Sequence, residues 1–252
     1  MIDLHVHTHL SCDSEETMER YIQMAEQKGV SVICFTDHVD LNPVDYGYRY
    51  YKPDRFFEDL ALARAKAPSG IELLAGMEFG ETHLYADECR SLSKYPYDFV
   101  LGSIHWVNDL FPDEKVQRTY SARQFFDMYW EEMLKMVKAG SFDSLAHIDF
   151  PKRYYGELYY EEKKLREIFM YLLDKDASLE INTSSVRRGY PECMPGREIL
   201  EIYKLCGGRH ITVGSDSHFA CDIGADADSA QSLIDSFGFK QVLYRQRKRI
   251  PV

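Results

Sequence analysis

The sequence predicts a single-domain α/β protein, a barrel-like parallel sheet whose functional rim lies at the carboxyl ends of its strands. Three observations predict it. Seven times along 252 residues, an apolar or β-branched run of strand length is followed by a segment of helical periodicity. No linker, low-complexity tract or internal repeat divides the chain. The connections are also lopsided: helix-to-strand turns are two or three residues long, whereas residues 38–52, 105–120, 147–160 and 182–195 form long strand-to-helix loops. In a parallel barrel such loops all emerge at one rim, where these folds keep their sites.

Strands are expected at residues 2–6, 31–36, 71–77, 98–104, 142–146, 178–181 and 210–214. After the first, Ser14 is the expected cap of a helix that carries Met18, Tyr21, Ile22 and Ala25 on one face and stops at Gly29. Pro53 opens the second helix, with Phe56, Phe57 and Leu60 inward and Pro68 beyond its end. A short third helix is expected over residues 83–93. The fourth has the fullest set of signals: Ser121 and Gln124 at capping-box spacing, an apolar face of Phe125, Tyr129, Met133 and Val137, and Gly140 to end it. Leu165, Ile168, Phe169 and Leu172 mark a fifth over residues 161–175, and residues 196–206 and 226–237 supply the last two. Residues 241–244 add an edge strand.

Composition narrows the partners. The chain has 30 basic and 41 acidic side chains, a net charge of -11, which argues against a general nucleic-acid or anionic-membrane surface. One basic cluster, Arg-Gln-Arg-Lys-Arg at residues 245–249, is expected to lie solvated in the tail. The six cysteines show no C-x-x-C pairing and read as reduced thiols of a reducing compartment. Met1 leads straight into Asp3 and the histidines with no secretory leader, and no apolar run reaches the roughly 18 residues that span a bilayer. The expectation is a soluble, cytoplasmic protein without a membrane partner, its oligomeric state open.

Metal-capable side chains follow the strands with regularity. His5 and His7 end the first and, two apart on an extended chain, point to the same side. Two imidazoles facing one core are costly unless something binds them. Asp37 and His38 follow the second strand, Glu78 the third, His105 the fourth, His147 the fifth, and Asp216 and His218 the seventh. Six of nine histidines therefore gather at one rim; of the rest, His210 falls at the opposite end and reads as structural. Any one has a packing explanation, but scatter would have put some on helices. With carboxylates at Asp13, Glu78 and Asp216, nine donors suit two or three ions at about four ligands each. A mixed histidine and carboxylate set suits Zn, Mn or Fe, whereas Mg and Ca want oxygen. Neighbouring ions that share a carboxylate and a hydroxide imply hydrolysis.

His-Val-His with Asp13 six residues on, Thr-Asp-His38, the strand-end Glu78, the isolated His105 and His147, and Gly-Ser-Asp-Ser-His218 resemble, in order, the motifs of the PHP (polymerase and histidinol phosphatase) family. The match runs from Ile2 to the C-terminus and is nearest to the histidinol-phosphatase branch, through Phe-Thr-Asp-His-Val-Asp40 and Gly-Ser-Ile-His105. The resemblance implies a distorted (β/α)7 barrel and a small-molecule phosphomonoester substrate. It implies one ion on His5, His7, Glu78 and Asp216, a second bridged by Glu78 and held by His105 and His147, and a third on Asp13, His38 and His218. Asp13 stands where some relatives carry histidine. The implied reaction is in-line attack on phosphorus by a metal-bridging hydroxide.

Arg153 and Arg187 come from rim loops and are expected on the phosphate, because guanidinium binds it bidentately. The leaving alkoxide would take its proton from a bound water, Asp37 or His218; Asp37 and Asp40 serve equally well as orienters of histidine. Asp45, Tyr48 or Tyr51 would read the organic group. Competing readings are a phosphatase for phosphotyrosine or another metabolite, an amidohydrolase-like hydrolase, and a non-catalytic metal-holding module.

Overall fold

All seven predicted strand runs form strands in the computed structural model, which describes residues 1–252. In chain order the elements are β1 (Ile2–Val6), α1 (Met18–Lys28), β2 (Val32–Phe35), β3 (His38–Val39), α2 (Pro53–Lys66), β4 (Glu72–Gly80), α3 (Ala86–Leu92), β5 (Phe99–Ser103), α4 (Glu114–Gln117), α5 (Ala122–Ala139), β6 (Ser144–Leu145), α6 (Lys152–Tyr155), α7 (Glu162–Asp174), β7 (Ser178–Asn182), α8 (Ser184–Arg187), α9 (Arg197–Leu205), β8 (His210–Gly214), α10 (Ala227–Phe237), β9 (Lys240–Arg245) and β10 (Lys248–Pro251). The strand order is β1-β2-β4-β5-β6-β7-β8-β9-β10, with β3 beside the second half of β4. Every pairing is parallel except the β9–β10 hairpin. The fold is therefore α/β with a mostly parallel sheet. β1 also meets the segment that follows β8, since Val6 bridges Ser217 and His7 N donates to Ser217 O at 2.9 Å.

Local signals explain most boundaries. The Ser121–Gln124 capping box is made in both directions, and α5 buries Phe125, Phe126, Tyr129, Trp130 and Met133. Each such side chain contributes about 1.5–3 kcal/mol of burial. Two helix boundaries are corrected. Thr17, not Ser14, caps α1, its side chain accepting from Arg20 N. Ser14 instead donates to His218 O at 2.9 Å, with His7 O at 3.2 Å, tying two rim loops together. α3 begins only at Ala86, because Glu81 adopts a positive φ of 47° and turns its carboxylate onto the backbone of His105 and Trp106.

The tail differs most. Residues 241–244 lie inside β9, between β8 and β10, and so are not the edge. The basic cluster is the turn of that hairpin rather than a solvated tail. Arg245 forks onto Glu72 with two bonds of 2.7 Å, Arg247 pairs with Asp143, and Arg249 with Asp176. Val242, Leu243 and Tyr244 join Leu4, Val32, Leu74 and Phe99 in a small apolar cluster separate from the main core. The six cysteines form no disulfide, and no helix is long and apolar enough to cross a membrane.

Candidate metal centre

Parallel register brings the donors together. β1 delivers His5 and His7, fully buried, with ring centroids 5.0 Å apart. β4 runs on to Gly80, so Glu78 lies within it, and the β3 pairing sets His38 beside Glu78. His105 and His147 stand two residues beyond β5 and β6, and Asp216 and His218 follow β8. Asp216 holds a positive φ of 54°, which turns its side chain back into the site.

Glu78 is the hub. Its Oε2 lies 3.1 Å from His5 Nε2, 3.5 Å from His7 Nε2 and 3.1 Å from His38 Nδ1. Its Oε1 lies 3.3 Å from His105 Nε2 and 2.9 Å from His147 Nε2. Asp216 Oδ1 stands 3.6 Å from His7 Nε2 and 3.5 Å from His218 Nδ1. Asp13 Oδ2 sits between His218 Nε2 at 3.0 Å and His38 Nε2 at 3.5 Å. Four overlapping groups, His7–His38–His218, His5–His7–Asp216, His5–Glu78–His147 and His38–Glu78–His105, each converge within the reach of one ion. His7 Nε2 is buried without a hydrogen-bond partner, as a ligating nitrogen would be. The donors fit a metal centre.

These groups also shape one another's electrostatics. Burial alone would push the Glu78 carboxyl up, yet His5, His38 and His105 hold it well below its ordinary value. Burial pulls imidazoles down, and His7, crowded by His218 and His38, falls well below 6.5. His105 is instead carried up to about 10, burial being outweighed by Glu78 and Asp40. Carboxylates and imidazoles at contact distance in one buried place thus set one another's protonation, and any cation bound there would displace those protons.

Other expected residues behave differently. Asp37 is fully buried and accepts from Thr8 N at 2.5 Å, Thr8 Oγ1 at 2.9 Å and Ser11 Oγ at 2.9 Å. Ser11 in turn lies 3.2 Å from His7 Nδ1, so Asp37 anchors the group that aims His7 and does not line the cleft. Arg187 also misses the cleft: it donates to Ser215 O and Asp216 O at 2.6 and 2.7 Å. Arg188 lines the cleft in its place, beside Arg153, whose Nη2 donates to Asp216 Oδ2 at 2.7 Å. Tyr51 is buried against Tyr97. The cavity over the donors measures about 310 Å³ and is walled by Phe111, Phe150 and Tyr154. Sequence reasoning missed Glu180, on β7, to which His5 Nδ1 donates at 2.6 Å and His147 N at 2.9 Å.

A ring of imidazole and carboxylate donors at the strand-end rim of a parallel α/β sheet defines a metal-dependent hydrolase. Within that class the chain belongs to the PHP domain family, whose model matches residues 3–184. It is 32% identical to a probable histidinol-phosphatase of Clostridium acetobutylicum over 98% of each chain. It is 27% identical to a histidinol-phosphatase of Lactococcus lactis subsp. lactis over 96% of this chain and 93% of that one. The crystal structure of a Lactococcus lactis histidinol phosphate phosphatase, complexed with zinc, L-histidinol and phosphate, superimposes with a TM-score of 0.88 at 26% identity, covering 99% of this chain and 98% of that one.

Proposed function

We propose that this chain hydrolyses L-histidinol phosphate to L-histidinol and phosphate as a metal-dependent phosphomonoesterase. The observation that carries the reading is likeness over nearly the whole chain to an enzyme crystallised with zinc, L-histidinol and phosphate. His5, His7, Glu78 and Asp216 would hold one ion, Glu78 would bridge to a second on His105 and His147, and Asp13, His38 and His218 would hold a third. The division of Glu78 into an Oε2 side and an Oε1 side supports the bridge. Zn, Mn or Fe suits these donors, and divalent ions there offset phosphate charge and ease the deprotonation of water near neutral pH.

The protein's own work is positioning. Arg153, with its Nε buried and unpartnered, and Arg188 bind phosphate oxygens. Arg187 holds the carbonyl of Asp216 and so sets that carboxylate. Phe111, Phe150 and Tyr154 keep water from one wall. Of the side chains expected to protonate the leaving alkoxide, His218 faces the cleft and Asp37 does not. We also infer one domain over residues 1–252, its sheet curled into a distorted (β/α)7 barrel, a reading supported by the Val6–Ser217 bridge. A cytoplasmic location suits the unpaired thiols.

The test is kcat/KM across a panel of phosphomonoesters after reconstitution with Zn, Mn or Fe. Histidinol phosphate is expected to exceed phosphotyrosine and sugar phosphates by about 10²-fold or more. His105→Ala is expected to lose metal and roughly 10²-fold or more of activity. A flat panel would assign another phosphoester, and full activity in His105→Ala would strike that ligand from the set.

A further inference from the structure

The cleft is chemically lopsided. In it stand two guanidinium groups, Arg153 and Arg188, and the basicity of Arg188 is lowered by burial and by its neighbour Arg153. Away from them, paired with neither, Asp45 also lines the cleft, half-buried on the loop between β3 and α2. Its Oδ1 accepts from Gly47 N at 2.6 Å, and its Oδ2 accepts from the indole N–H of Trp106, which belongs to a different rim loop. A carboxylate oxygen has two acceptor positions, so one on each oxygen is left over. No lysine, arginine or histidine of the protein pairs with Asp45, although the other four acidic groups of the cleft, Asp13, Asp40, Glu78 and Asp216, each have such a partner. An aromatic row links Asp45 to the arginines, Trp106 behind the lining standing 5.3 Å from Phe111, and Phe111 5.1 Å from Tyr154 on the cleft wall, centroid to centroid. A fixed negative charge without a counter-ion, joined by an aromatic row to a cationic anion site, complements a ligand that is itself a dipole.

We propose that Asp45 determines specificity by binding the cationic end, ammonium or imidazolium, of an amino-alcohol phosphate whose phosphate lies at the arginines. The proposal rests on the phosphatase reading above and names the residue that selects its substrate. Asp45 touches no reacting atom, so its contribution is to binding and orientation, and it appears in KM before kcat.

The holoenzyme and its Asp45→Asn variant are compared on histidinol phosphate, its desamino analogue, and two matched pairs without histidinol: 3-aminopropyl against propyl phosphate, and an imidazolylalkyl phosphate against its phenylalkyl counterpart. Asp45→Asn is expected to lower kcat/KM for the cationic member of a pair by about 10- to 100-fold, chiefly through KM. The neutral member should change by less than about twofold, which also reports that the variant is folded and metal-loaded. Asp45→Glu should recover part of the selectivity. Which pair responds tells ammonium from imidazolium. Equal losses on cationic and neutral members, or no loss on either, overturn the proposal. If the wild type does not favour histidinol phosphate yet still selects a cationic alkyl phosphate through Asp45, the histidinol reading fails and this one stands.

Discussion

Glu180 shows how a single side chain outside the donor ring governs it. One of its oxygens takes the His5 Nδ1 proton and the other takes His147 N, so two candidate ligands are aimed by one carboxylate. Glu180→Gln is expected to weaken metal affinity by about 10- to 100-fold in a chelator competition, because outer partners orient ligating imidazoles and raise their basicity. Unchanged affinity would mean that packing alone orients His5. Most of the ring was legible in the sequence because its donors, Asp13 apart, lie at or just beyond the end of a strand run, where a parallel fold exposes side chains to a common rim. Glu180 was not, since it sits inside β7 with nothing in its neighbours to mark it. Arg187 and Arg188 could not be told apart for a related reason. Adjacent residues on a helical turn point about 100° apart, and only the tertiary partners Ser215 O and Asp216 O decide which one turns away.

At the scale of elements, the closest approach in the site lies between β1 and β8. A Cβ on Gly214 would stand 2.2 Å from His5 Cβ and 2.7 Å from Glu180 Oε1. Gly214→Ala should therefore push β1 from β8, cost about 1–3 kcal/mol in denaturant titration, and reduce bound metal. Gly70→Ala, where nothing lies within 4 Å, is the matched control and should be near neutral. A Gly214→Ala protein with wild-type stability and metal content would show that the strands can separate freely. The helices were legible because their signals are local: proline at the start of α2, the capping box of α5, glycine after α1 and α10. Where two good caps compete within three residues, as Ser14 and Thr17 do, a distant carbonyl settles the matter. The two-residue β3 carries no periodicity to detect, and the hairpin at the tail depends on acidic partners far along the chain.

For the whole molecule, protons and metal ions compete for the same imidazoles. In the metal-free protein His5, His38 and His105 are raised against the pull of burial by their carboxylate neighbours, His105 to about 10. A raised basic group contributes its full stability below its unfolded value of 6.5 and loses it as pH climbs towards the folded value. His7 and His147 are depressed and work oppositely, but above pH 7 they are neutral in both states. The apoprotein should thus lose Tm between pH 7 and 9, while metal binding, freed from proton competition, strengthens. The Tm difference between metal-loaded and chelator-treated protein is expected to widen over that interval in differential scanning fluorimetry; a constant difference would mean the imidazoles are neutral before metal arrives. Asp3 clasps Ser215, with bonds of 2.9 and 2.5 Å across 212 residues of chain. On the ribosome, then, the opening strand meets β2 early but lacks its β8 neighbour through most of elongation, and a nascent chain released before residue 216 carries His5 and His7 without the carboxylate that stands beside them.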